Sequence, residues 1–136
     1  SATIATSDES VKENVQDYTG GLDVISQLRP RTFTFADQTD TIGATGEVLD
    51  EALNFPDGVQ VGFIAQEVAT ALDGSPWLDA LVKRDTRPEV TEDVDGETVV
   101  VRESAELWGL AEGTLIAPLV AAVQELTARV AALKAA

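Results

Sequence analysis

The sequence predicts an α+β fold, a small mixed core with β-hairpins and short helices, followed by a long C-terminal helix. Three features predict it. Polar residues alternate with aromatic or β-branched ones at 31–35 and 59–64, the period of a half-buried strand. Asp95-Gly96 separates two runs rich in Val and Thr, which marks a hairpin whose tight turn needs positive φ at both central positions. From Ile116 onward, Ile116, Leu119, Val123, Leu126, Val130 and Leu133 follow one another in steps of three and four, an a/d seam along one helix.

Residues 1–15 are polar, with Ile4, Val11 and Val15 spaced too widely for an amphipathic helix, so they predict an extended lead that ends in a short turn or strand. Tyr18-Thr19-Gly20-Gly21 breaks the chain. Leu22, Val24, Ile25 and Leu28 then fit a short helix, stopped at Arg29-Pro30 because a residue before proline avoids the helical region. Residues 36–58 carry Gly43, Gly46, Pro56 and Gly58 among acidic and small residues, and predict a long surface excursion with a helical turn over 48–53. A two-turn helix over 65–72 ends at Asp73-Gly74. The short apolar segment 77–82 leads to the hairpin at 90–101, after which the sequence reads as helical from Arg102. Gly109, Gly113 and Pro118 punctuate the approach to the long helix, whose first turn tolerates proline because its N–H groups lack intrahelical partners.

Composition bounds the function. A chain of 136 residues with 44% hydrophobic content buries about two-thirds of its unfolded surface, enough for one core, so residues 1–113 and an appended helix at 114–136 are expected. No apolar run approaches the roughly 20 residues of a bilayer span, and the start of the chain has neither a basic region nor an apolar signal core, so no membrane association is expected. A net charge of −15 opposes a phosphate backbone, which argues against a nucleic-acid partner. The absence of Cys and His removes thiol nucleophiles, disulfides, Cys/His zinc sites and an imidazole base. Hydrolytic chemistry would have to use Ser or Thr with Lys, carboxylates, or a metal held by oxygen.

Gly62, Phe63, Ile64, Ala65, Gln66, Glu67 and Val68 form the most specific block. With Ser7-Asp8-Glu9-Ser10-Val11-Lys12-Glu13-Asn14-Val15 upstream and the heptads downstream, it resembles the intramolecular chaperone domain of peptidase S74 type that ends many phage tail spikes and tail fibres. The resemblance covers nearly the whole chain, and the three features occur in the family's order. It implies a parallel trimeric coiled coil with Ile116, Leu119, Val123, Leu126, Val130 and Leu133 as the trimer interface. Spacing alone leaves two alternatives open: Ile or Val at a with Leu at d favours a dimer, and the stripe can also pack on the chain's own core. The implied partners are two further copies and the upstream fibre or spike segment of the same polypeptide. The implied location is the virion, at a fibre or spike tip assembled in the host cytoplasm, and no cofactor is implied.

The resemblance also singles out Ser7 and Lys12 as a Ser-Lys dyad, with Thr6 and Ser7 flanking the cleavage site. In such a dyad a desolvated lysine replaces histidine as the acceptor of the serine proton. On an ideal helix, side chains five residues apart point about 140° apart, so the pair needs a non-helical turn or a lysine from a neighbouring copy. Local sequence offers another reading, helix capping: Thr6 with Glu9 fits a capping box, Ser7 is a good N-cap, and Asp8 and Glu9 suit a helix start. The chain carries Ser10 where the family pattern usually has arginine, and residues 1–6 precede the expected start of a processed domain. A permanent, uncleaved tip that contacts a host surface receptor through residues 36–58 and 90–101 therefore stands as the alternative function.

The remaining candidates have plainer readings. Gln66 and Glu67 at a helix start read as a solvated or capping pair, and Trp77 and Trp108 as core or interface aromatics. Asp93-Val94-Asp95-Gly96-Glu97 lacks the spacing and closing Glu of a calcium loop and reads as an acidic turn, so no metal site is expected. Gly43-Ala44-Thr45-Gly46 lacks the lysine of a phosphate loop.

Overall fold

Val68, Leu72, Leu81, Val82 and Leu115 are scattered over the sequence and meet in one buried cluster. A computed structural model describes residues 6–136; Ile4 and the rest of the expected lead at 1–5 lie outside the described residues. Around the cluster pack the half-buried Val24, Leu28, Phe63, Trp77, Trp108 and Leu110. Helix α1 (Gly21–Gln27) supplies Val24, and Leu28 turns to extended backbone at φ −82° and ψ 148°, two residues before Pro30. Strand β1 (Arg31–Phe33) pairs antiparallel with β4 (Gln60–Gly62), with Thr32 opposite Val61.

Between β1 and β4 the excursion forms a hairpin of its own. Strands β2 (Thr41–Ile42) and β3 (Val48–Asp50) pair antiparallel, and the Gly43 N–H donates to the Glu47 carbonyl at 2.8 Å. The helical turn expected over 48–53 is therefore absent from residues 48–50, where Val48 and Asp50 instead face Ile42 and Thr41. Gly46, at φ 88°, provides the left-handed residue that closes this turn. Phe35 stacks on Phe55 with ring centroids 4.5 Å apart, which draws the two ends of the excursion together.

Helix α2 (Ala65–Ala71) follows β4 directly and ends before Gly74, which has φ 85°. A single turn, α3 (Leu78–Leu81), then opens a long hairpin. Strands β5 (Val82–Arg87) and β6 (Val90–Val94) run out, and β7 (Glu97–Arg102) and β8 (Ala105–Leu110) run back, each pair antiparallel. The tip has Asp95 at φ 51° and Gly96 at φ 81°, the paired positive angles that the Asp-Gly signal demands. Two residues interrupt the ladder on each side between the Arg87–Ala105 and Val90–Arg102 pairs, and the register then shifts by one, with Thr91 opposite Val100 and Val101 left over as a bulge.

The helical reading after Arg102 is corrected by β8. Half-buried Trp108 and Leu110 flank exposed Gly109, an alternation with the period of a strand, and the backbone partner is β5, some twenty residues upstream. Only after a 3-10 turn at Glu112–Leu115 does the long helix begin, α4 (Ile116–Ala135).

Helix α4 is docked over its first half. Pro118, Ala121 and Ala122 are buried, and α1 approaches them through Gly21, which has no side chain to hold the helices apart. The segment Glu112–Ala135, 24 residues, is long and apolar enough to cross a bilayer by length and composition, which corrects the expectation that no run reaches that size. Its apolar residues, however, split between the α1 contact and an outer stripe, while Glu125 is engaged in polar contacts with α1. That division suits protein packing.

Candidate functional site

Asp8 caps the short turn that lies between Ser7 and Lys12. Its backbone is extended, at φ −68° and ψ 139°, and its carboxylate accepts the Ser10 N–H at 2.8 Å, which starts a single 3-10 turn over Glu9–Val11. The Val11 N–H donates to the Asp8 carbonyl at 3.2 Å and the Lys12 N–H to the Glu9 carbonyl at 3.1 Å. Lys12 leaves the turn extended, at φ −114° and ψ 144°, and its Nζ donates to Ser7 Oγ at 2.8 Å. This is the non-helical turn that a five-residue spacing requires, and it joins the two residues within one chain. The cap is Asp8, so neither Thr6 with Glu9 nor Ser7 plays the capping part that local sequence allowed.

Hydrogen bonds from Ser10, first its hydroxyl and then its N–H, hold the Asp8 carboxyl below its ordinary value. Ser10 thus fixes the Asp8 carboxylate. All of residues 6–19 are exposed, including Ser7 and Lys12, and Val11 and Val15 are 66% and 77% exposed. The single chain therefore has the contact of a dyad without water-excluding surroundings.

The Gly62 to Val68 block holds the core to the sheet. Ala65 and Val68 are buried, Phe63 packs beside the cluster, and Ile64 lies at the helix start. Gln66 faces solvent. Glu67 is not a solvated or capping residue: Arg31 donates Nε to Oε1 at 2.9 Å and Nη2 to Oε2 at 2.6 Å, with Arg29 at 3.8 Å. This two-pronged pair fastens α2 to β1. The Arg31 hydrogen bonds lead in holding the Glu67 carboxyl below its usual range, and Glu67 in turn raises Arg31. Nothing local announces the pairing, because the partners lie 36 residues apart.

A second arginine joins the excursion to the long hairpin. Arg102 Nη1 donates to Asp50 Oδ2 at 2.6 Å and to Thr41 Oγ1 at 3.2 Å, and Nη2 donates to the Pro88 carbonyl at 2.8 Å. Nearby, the Ala44 N–H donates to Glu92 Oε1 at 2.8 Å. Residues 36–58 are thus moored to the hairpin. Trp108 lies under Arg84, 3.9 Å from guanidinium carbon to ring centroid, and Trp77 meets the edge of Tyr18 at 6.1 Å. Both tryptophans pack against the core. At the hairpin tip, Asp93 accepts the Thr98 hydroxyl at 2.9 Å, and among the described residues no three carboxylates converge as metal ligands.

Helix α4 turns its a/d seam outward. Ile116, Leu119, Val123, Leu126, Val130 and Leu133 are between 47% and 76% exposed, while a separate stripe, Pro118, Ala121 and Ala122, is buried against α1. The seam therefore does not pack on the chain's own core. At its foot, Ile116 and Leu119 join Ile25, Leu28, Pro30 and Phe63 around an open apolar groove of about 380 Å³.

No match to the chain was found among curated proteins. The family model described as chaperone of endosialidase, Peptidase_S74, matches residues 7–75, from Ser7 through the Gly62 to Val68 block to just past the end of α2. On the strength of a match over half its length, with the Ser7–Lys12 contact and the core block both inside it, the chain belongs to the Peptidase_S74 family of intramolecular chaperones.

Proposed function

We propose that this chain assembles as a parallel homotrimer through α4, templates the folding of the fibre or spike segment upstream in the same polypeptide, and is then released by self-cleavage at Ser7. The observation that carries this reading is the double-sided helix. One stripe of α4 is used by the core, and the six-residue apolar seam on another face is left exposed to water. Three such seams brought together would hold three upstream strands in register and reduce the loop-closure entropy that slows long-range β-pairing. Release afterwards leaves the fibre kinetically trapped, at the tip of a virion.

The 2.8 Å contact from Lys12 Nζ to Ser7 Oγ supports the cleavage step. Lys12 in its neutral form takes the hydroxyl proton as Ser7 Oγ attacks the Thr6 carbonyl carbon through a five-membered ring. The C–N bond breaks, the Ser7 nitrogen is protonated to an amine, and an ester joins Thr6 to Ser7 Oγ. Water hydrolyses that ester, returning the hydroxyl and leaving a carboxylate on Thr6.

The test is the intact mass and sedimentation of a chain extended upstream into the fibre, beside the same chain with Ser7→Ala. Two fragments divided next to Ser7 in the parent, one uncut product in the variant, and trimers in both are expected. Uncut, stable trimers in both would favour the second reading, a permanent tip that binds a host surface. The mooring of residues 36–58 to the long hairpin by Arg102 supports that alternative, because it makes one continuous surface of the two segments.

A further inference from the structure

We propose that Asp8 is the positioning residue of the Ser7–Lys12 pair: by capping the 3-10 turn at Glu9–Val11 through the Ser10 N–H, it sets the path that returns Lys12 Nζ to Ser7 Oγ. This rests on the dyad reading above and concerns how the pair is held.

The argument is one of geometry. Lys12 has four rotatable side-chain bonds, and residues 6–19 are exposed, so no packing from the body of the protein confines it. What places its Cα is the turn. The turn is three residues long and closed by two backbone hydrogen bonds, far below the length at which a helix sustains itself in water. A cap contributes a large share of the order in so short an element, since it satisfies an N–H that otherwise has no intrachain partner. The Asp8 backbone is already extended, the conformation an N-cap requires, and the carboxyl lies below its ordinary value because Ser10 donates to it. Asp8 touches neither the Thr6 carbonyl nor Lys12 in these contacts. It acts through the turn.

The chain has three lysines, Lys12, Lys83 and Lys134, so the Nζ resonance of Lys12 can be followed by nitrogen NMR in the full chain with little ambiguity. Ser7→Ala should shift that resonance by removing its acceptor. Asp8→Ala should reproduce the shift, and Asp8→Asn should leave the resonance at its parent position, because a carboxamide oxygen caps as well as a carboxylate. In the chain extended upstream, Asp8→Ala should slow cleavage about fivefold, the ratio that loss of one ordinary N-cap produces, with Asp8→Asn at the parent rate and the oligomer unchanged in both. A Lys12 resonance indifferent to Asp8→Ala, or to Ser7→Ala, overturns the proposal. So does an Asp8→Asn variant as impaired as Asp8→Ala, which would assign the effect to charge. An uncut parent whose Lys12 resonance still follows Asp8 supports the positioning role and removes the self-cleavage reading instead.

Discussion

The Glu125 carboxylate on α4 accepts the Leu22 N–H at 2.9 Å, capping from 103 residues away a helix that has no side-chain cap of its own. Its other oxygen takes the Gly20 N–H at 2.8 Å. Gly20 sits at φ 89° and offers no side chain, so the first N–H groups of α1 would otherwise have only water, and the helix dipole adds to the attraction. The helix that exposes the seam is thereby clamped to the element that leads back to the Ser7–Lys12 contact.

From this clamp we expect Glu125→Ala to lower the melting temperature by about 3–5 °C, and Glu125→Gln to lower it less. The backbone donors, Leu22 first and then Gly20, hold the Glu125 carboxyl below its ordinary value. A depressed carboxyl contributes stability that is present above the usual glutamate range and lost as pH falls through the folded value. Melting of the parent should therefore decline on acidification below about pH 4.5, and the decline should be shallower in Glu125→Gln. Circular dichroism melts across that range check both.

Adjacent glycines at 20 and 21 should respond for different reasons. A Cβ on Gly21 would run into the Pro118 carbonyl and lie 2.6 Å from Ala121 Cβ, so Gly21→Ala should cost about 3 kcal/mol by overpacking α1 against α4. Gly20 has open space around it but a left-handed backbone, so Gly20→Ala should cost only about 1 kcal/mol. Urea unfolding midpoints of the two variants measure the difference.

Charges on the two stripes of α4 should part assembly from folding. Val123→Asp and Leu126→Asp place a carboxylate on the exposed seam and should abolish oligomers while leaving the circular dichroism of the folded chain. Ala122→Asp, on the stripe buried at 2% exposure, should unfold it. Sedimentation of all three, repeated at low and high salt, also checks whether a net charge of −15 per chain makes assembly weaker when screening is removed.

Arg102→Ala should release the excursion from the long hairpin by removing the bonds to Asp50 and Thr41. Hydrogen exchange at 41–50 should quicken several-fold, with exchange at 105–110 unaltered. The Arg102 hydrogen bond leads in lowering the Asp50 carboxyl, so the same docking should weaken in the parent as pH falls through the depressed Asp50 value.

Where structure follows from adjacent residues, the sequence was readable. Asp95-Gly96 declares its turn because two positive φ angles in succession exclude most other residues, and Pro30 bars the helix from Arg29, although α1 already stops at Gln27. The seam is legible because one helix repeats itself. Strand β8 reads as helix from local sequence, since Leu107, Trp108 and Leu110 carry no local sign of β5, the partner that makes them a strand. The same limit hides Arg31 from Glu67 and Glu125 from Leu22. Before Glu9 the sequence offers Thr6 and Ser7 as caps, and the backbone angles of Asp8 and its bond to Ser10 give that part to Asp8 instead.

The ladder of the long hairpin breaks at Pro88-Glu89 on one strand and at Glu103-Ser104 on the other, an equal number of residues on each. One step further out the count becomes unequal, since Val90 faces Arg102 but Thr91 faces Val100, which leaves Val101 over as a bulge. A bulge bends its own strand and increases the local twist. The direction in which the arm leaves the body is thus written into the number of residues on its two strands.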